Sequence, residues 1–181
     1  MRISPIHLPK LIKLIPVAAA MTLTPAIKAQ EPDTFVRSCE INIGEEVKKA
    51  AIVVDLNTNI LYHYDELGNI IKTYSVASGK KSTPTHTGIR ILEEVENYPY
   101  KTAYGTKRKR TPNTYGPKVL RLVPIDENGN KKDYDGEFIH GTNEPSSIGK
   151  NASKGCIRML NDDVKELSEN VKAGSYVLFT F

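Results

Sequence analysis

From Ala50 onward, short apolar runs alternate with turn-forming residues at the spacing of strands rather than of helices. Ala51-Ile52-Val53-Val54-Asp55-Leu56 is rich in β-branched residues, Asn57-Thr58-Asn59 marks a turn, and Ile60 to Tyr64 returns. Leu67-Gly68-Asn69 then turns again into Ile70 to Val76. This succession predicts a β-meander. Further strands are predicted over 88–95, 118–123 and 175–181, and Asn128-Gly129-Asn130 is a hairpin signal. One segment departs from the pattern. Val164, Leu167 and Val171 recur at helical spacing behind Asn161, a candidate cap, and Asp162 and Asp163, whose charges suit a helix N-terminus. The expected fold class is therefore mainly β: one sandwich-like or barrel-like domain over 50–181 with a single short helix. His63 alternates with Leu61 and faces away from Tyr62 and Tyr64, as a half-buried strand residue would. Residues 97–117 lack any period and read as an irregular lid or binding loop, in which Tyr98, Tyr104 and Tyr115 are candidate substrate contacts.

The first residues differ in kind. Arg2, Lys10 and Lys13 precede an uncharged stretch from Leu14 to Ile27, and Lys28-Ala29 leads into polar sequence, the pattern of a secretory signal peptide over 1–29. That stretch is shorter than the roughly 20 apolar residues that cross a bilayer, and Pro16 and Pro25 weaken it as a helix. Cleavage is expected after Ala29, although Ile27 occupies a position that is usually small. An uncleaved leader, which alone would tie the protein to a membrane, is the alternative. Residues 30–49 read as a polar N-terminal extension. Such a leader implies export.

Charge excludes one class of partner. The chain has 25 basic and 21 acidic residues, and Arg2, Lys10, Lys13 and Lys28 of the leader leave the remainder formally neutral. Nucleic-acid binders ordinarily carry a strongly basic domain, so nucleic acid is not an expected partner. Lys107-Arg108-Lys109-Arg110 reads as a solvated loop, or else as a contact for an anionic wall polymer.

The chemistry concentrates in one segment. Cys156 offers a thiol and His140 a base, and Gly141 and Gly155 sit directly beside them, where close backbone approach or unusual angles are needed. A disulfide between Cys39 and Cys156 would suit an oxidising compartment, but a nucleophile must be free and Cys39 belongs to no regular cysteine framework. His63 and His86 are isolated and His7 lies in the leader, so neither a metal nor any other cofactor is expected.

Phe138-Ile139-His140-Gly141-Thr142, followed by Ser153-Lys154-Gly155-Cys156-Ile157-Arg158-Met159, resembles the signature of the L,D-transpeptidase catalytic domain of bacterial cell-wall enzymes. Weaker similarities are Ala77-Ser78-Gly79 with Ser82 to Gly88, Tyr115-Gly116-Pro117, and Leu120-Arg121-Leu122. Lys154 is the one departure, standing where that family most often has a second histidine. Its ammonium either favours the thiolate or points to solvent. The resemblance implies that His140 activates Cys156, with the Gly141 carbonyl orienting the imidazole and backbone N–H groups at Gly155 and Cys156 holding the oxyanion. It implies a peptidoglycan stem tetrapeptide as donor, attacked at its third-residue carbonyl with release of D-alanine. The acceptor is then a second stem, a wall lipoprotein or water. It also implies acylation by carbapenems. Arg158 either forks onto a substrate carboxylate or forms a structural salt bridge. Ser153, Thr142 and Tyr115 complete the candidate substrate-binding set. A secreted cysteine amidase or peptidase and a non-catalytic wall-binding module are the competing readings.

Overall fold

A computed structural model describes residues 38–98, 100 and 112–181. The expected leader, Tyr104 and the 107–110 basic run lie outside the described residues. Eleven strands are assigned: β1 (Glu40–Ile43), β2 (Glu46–Asp55), β3 (Ile60–Tyr64), β4 (Ile70–Ser75), β5 (Ser78–Gly79), β6 (Gly88–Asn97), β7 (Lys118–Pro124), β8 (Phe138–His140), β9 (Asn151–Ser153), β10 (Ile157–Arg158) and β11 (Tyr176–Thr180). Among the described residues two α-helices accompany them, α1 (Pro112–Tyr115) and α2 (Asn161–Asn170), with one 3-10 turn over Pro145–Ser147. The mainly β class is thus realised, with the single turn of α1 added to the one helix expected.

Nine strands form one sheet in the order β10-β8-β7-β6-β11-β2-β3-β4, with β1 paired to β2 beside this path. The pairs β11·β2 and β10·β8 are parallel, and β2·β3, β3·β4, β6·β7, β7·β8 and β6·β11 are antiparallel. The meander is β2-β3-β4, closed by local chemistry. Asp65 Oδ1 accepts the N–H groups of Leu67 and Asn69 at 2.9 and 2.8 Å, and Asn59 at the preceding turn takes a left-handed φ of 54°. Asp126 Oδ1 does the same for Asn128 and Asn130, which realises the predicted hairpin signal.

The sheet curls over α2. Ile52, Val54, Leu61, Leu92, Leu120, Leu122, Ile139, Ile157, Val177 and Phe179 come from seven strands and bury against Val164 and Leu167 of the helix. Alternation explains how one strand serves two cores: Ile52 and Val54 face inward, while Val53 faces a second cluster with Cys39, Ile41, Ala50 and Tyr64. Both faces of β2 are covered, so its sequence reads as a continuous apolar run rather than an alternating one. Residues 40–49, expected as a polar extension, form the β1-β2 hairpin, and Cys39 is buried in this second cluster as a free thiol whose pKa burial pushes up.

Asn161 does not cap α2 as expected. Leu160 occupies the cap position without a side-chain bond. The Asn161 Oδ1 instead accepts the Thr142 N–H at 2.9 Å, which ties the helix start to the loop after β8.

Candidate active site

Strands β8 and β10 run in parallel with Ile139 beside Ile157 and His140 beside Arg158. The two isoleucines point into the main core, so the alternate residues Phe138, His140, Cys156 and Arg158 take the other face. A strand spacing of about 4.8 Å and a rise of about 3.3 Å per residue put the Cα atoms of Cys156 and His140 roughly 8 Å apart. That gap is within the combined length of an imidazole and a thiol side chain. Both line one cavity of about 500 Å³ with Thr114, Tyr115, Glu144, Ser153, Lys154 and Arg158. A larger cavity, about 730 Å³, contains His63 and neither of these groups. His63 is more deeply buried than the half-buried position expected, and desolvation depresses its pKa.

The imidazole is fixed from below and from the side. His140 Nδ1 lies 2.5 Å from the Gly141 carbonyl oxygen, an oxygen that can only accept, so Nδ1 carries the proton and Nε2 keeps its lone pair. The Tyr115 ring packs 4.5 Å from the His140 ring, and Tyr100 meets Tyr115 edge-on at 6.5 Å while its hydroxyl donates to the Gly116 carbonyl. Gly141 is required by crowding. A Cβ there would lie 2.4 Å from Asn161 Oδ1 and 3.0 Å from the Gly116 Cα.

The thiol sits on a loop built by side-chain-to-backbone bonds. Ser153 Oγ donates to the Cys156 carbonyl at 2.6 Å and accepts the Gly155 N–H at 3.1 Å. Thr85 Oγ1 donates to the Gly155 carbonyl at 2.6 Å and accepts the Gly79 N–H at 2.8 Å. Gly155 itself has φ 119°, a conformation closed to side-chain-bearing residues. Cys156 is in no disulfide and is partly exposed, with Sγ 3.6 Å from the Gly136 carbonyl oxygen.

These bonds redistribute the expected roles. Cys156, His140, Tyr115, Arg158 and Ser153 converge on the cavity, but the Ser153 hydroxyl and the Gly155 N–H are committed to the loop. Thr142 is buried beneath it, with its N–H on Asn161 and its Oγ1 accepting the Glu144 N–H at 3.0 Å. Gly155 and Thr142 therefore shape the site rather than reach into it, and Ser153 lines the cavity with its hydroxyl already bonded. Tyr98 is exposed and does not line the cavity. Arg158 forms an ion pair, Nη1 to Glu144 Oε2 at 2.6 Å.

Sequence reasoning missed the support under the thiol. Glu137, buried, accepts the His86 N–H at 3.0 Å and Arg90 Nη2 at 2.6 Å, and meets His86 Nδ1 at 2.7 Å. Desolvation raises the Glu137 pKa, against the pull of the His86 N–H and the Arg90 charge. Arg90 is fully buried, with Asp135 as a second partner at 3.1 Å and the Phe179 ring 4.2 Å from its guanidinium. A Cβ on Gly155 would stand 3.4 Å from Glu137 Oε1, so this buried pair forms the floor of the thiol loop. The available signal was a charged residue inside an apolar strand, Arg90, and another immediately before the histidine-bearing strand, Glu137.

A curled β-sheet carrying a thiol and an Nδ1-anchored imidazole in one open cavity defines the molecule as a protein with a cysteine–histidine site on a mainly β scaffold. The chain belongs to the L,D-transpeptidase catalytic domain family (YkuD), whose model matches residues 49–178. It is 38% identical over 129 residues to the YkuD protein of Bacillus licheniformis, itself named as an L,D-transpeptidase, covering 71% of this chain and 64% of that protein. The chain thus spans less than two thirds of that relative. In fold it is similar to the catalytic domain of the Enterococcus faecium L,D-transpeptidase, with a TM-score of 0.50 at 24% identity, covering 74% of this chain and 98% of that one. An L,D-transpeptidase from Mycobacterium tuberculosis gives a TM-score of 0.55 at 15% identity, covering 78% of this chain and 65% of that one.

Proposed function

We propose that this protein is an exported peptidoglycan L,D-transpeptidase in which Cys156 is the nucleophile and His140 the general base. The observation that carries the reading is the His140 Nδ1 contact with the Gly141 carbonyl, which leaves Nε2 as the acceptor in the cavity that also holds the thiol. The Cys156 proton passes to Nε2, and the thiolate adds to the third-residue carbonyl of a donor stem tetrapeptide. The oxyanion falls to backbone N–H groups at the Cys156 turn, of which Gly155 has already given its own to Ser153. The C–N bond to the terminal D-alanine breaks, and the imidazolium returns the proton to the departing amine. An acceptor amine then attacks the thioester, gives its proton to His140 Nε2, and frees the thiolate, which recovers the proton from the imidazolium. A second stem gives a 3→3 cross-link, and a wall lipoprotein gives a tethered protein. The leader-like residues 1–29 support a periplasmic or wall location for this chemistry.

Intact mass after mixing with a carbapenem tests the nucleophile: one adduct on the unmodified protein and none on Cys156→Ser. An adduct on both would remove Cys156 from the mechanism. Digestion products separate the acceptors, since dimers require an amine and shortened monomers alone indicate water.

A further inference from the structure

We infer that Arg158 selects the donor by charge and that the Glu144 carboxylate paired with it is a built-in competitor, occupying the place that the free carboxylate of the donor's leaving residue takes on binding. The inference rests on the reading of Cys156 as the acylated residue. Glu144 and Arg158 both line the cavity that holds Cys156 and His140, and their charged groups are 2.6 Å apart.

The two partners are unequally placed. The Arg158 side chain is 19% exposed and that of Glu144 is 61% exposed. Arg158 is also pinned through its backbone, donating its N–H to the Ala77 carbonyl at 2.8 Å and accepting the Ala77 N–H at 2.9 Å. The Glu144 main chain is held too: its N–H reaches Thr142 Oγ1 at 3.0 Å, and its carbonyl accepts the Ser147 N–H and Oγ–H at 2.9 and 2.6 Å. Only the Glu144 side chain is free to leave, by a rotamer change into water. Exposed ion pairs hold weakly, so a carboxylate offering two oxygens to the half-sheltered guanidinium displaces it at small cost.

Distance selects which carboxylate. Arg158 lies two residues beyond Cys156 on the same face, about 6–7 Å along the chain, within the span of an arginine side chain. The α-carboxyl carbon of a single leaving residue lies within about 4 Å of the attacked carbonyl carbon. A donor ending one residue past the scissile bond therefore brings its negative charge to Arg158. A donor that is amidated or extended there does not, and it leaves the Glu144 pair in place.

The test measures binding to Cys156→Ala protein by calorimetry, with two synthetic stem tetrapeptides that differ only in a terminal carboxylate or carboxamide. The acid is expected to bind about tenfold more tightly than the amide. Adding Arg158→Met should bring the two within about twofold, and adding Glu144→Gln should tighten the acid by about three- to tenfold while the amide moves less than about twofold. Glu144→Gln alters an exposed side chain, so it decides the matter even where Arg158→Met does not fold. Equal binding of the two peptides, binding of neither, or weaker acid binding in Glu144→Gln overturns the inference. Release of the terminal residue by unmodified protein is followed in parallel. Turnover without acid preference sinks the role of Glu144 and keeps the enzyme reading, whereas acid preference without turnover does the reverse.

Discussion

The meander β2-β3-β4 and the edge β7-β8-β10 are opposite ends of one sheet, yet they are held together in different ways. In the meander, each turn is closed by a side chain a few residues away, as Asp65 closes Leu67 to Asn69. At the edge, local bonds such as those of Ser153 are joined by ones that span long separations: Asn161 to Thr142, Thr85 to Gly155, Arg90 to Glu137. The regular end stores stability in apolar burial. The irregular end uses buried polar bonds to hold a few backbone atoms in positions that local preference would not choose.

Four substitutions sharpen or break that contrast. The largest expected effect is at the edge, where His140→Gln should slow carbapenem acylation of Cys156 by about 10²- to 10⁴-fold, read by stopped-flow or timed intact mass. A rate within a few-fold of the unmodified protein would mean that the imidazole does not serve the thiol. At the other end, Leu61→Ala empties a fully buried position of the main core and should cost about 2–5 kcal/mol in denaturant unfolding. Its acylation rate should stay within about twofold below the unfolding transition, because its side chain packs only into the shared core. Should it lose rate as His140→Gln does, the two ends are not separable. Gly141→Ala is expected to lose both properties together. Its Cβ would collide with Asn161 Oδ1 and the Gly116 backbone, an overpacking that costs about 1–3 kcal/mol and shifts the carbonyl on which His140 depends.

The smallest effect concerns pH. The buried His63 has its pKa pushed below the ordinary 6.5 by desolvation, against opposing pulls from Glu166 and the Asn170 backbone. The unfolded chain therefore takes up the proton first, so the His63 contribution is complete above pH 6.5 and is lost as pH falls from there through the depressed folded value. Melting temperatures of the unmodified protein and His63→Gln from pH 7.5 to 5 should converge as pH falls. Parallel curves would show that His63 does not titrate with unfolding.

The same contrast decides what could be read from the sequence. Strand β3 was located to the residue, Ile60–Tyr64, because period-two alternation and flanking turn residues are local signals. The site's two reactive residues and their glycines were legible because reactive types are rare and their spacing is set. Strands β5, β9 and β10, with two or three residues each, carry too little pattern to be seen. Asn161 was misread for a physical reason: an amide at a helix start favours capping locally, and only the folded chain brings the Thr142 N–H to compete for it. The backbone bonds of Ser153 were not legible for the same reason, since the Gly155 and Cys156 groups it binds are arranged by the turn it creates.

The imidazole leans on the carbonyl of its own neighbour, a main-chain atom present whatever residue the gene encodes at position 141. In the proposed reaction the orienting partner of the base is therefore immune to direct replacement. Drift can reach it only by bending the chain, and the tight quarters around that glycine make bending the costly route.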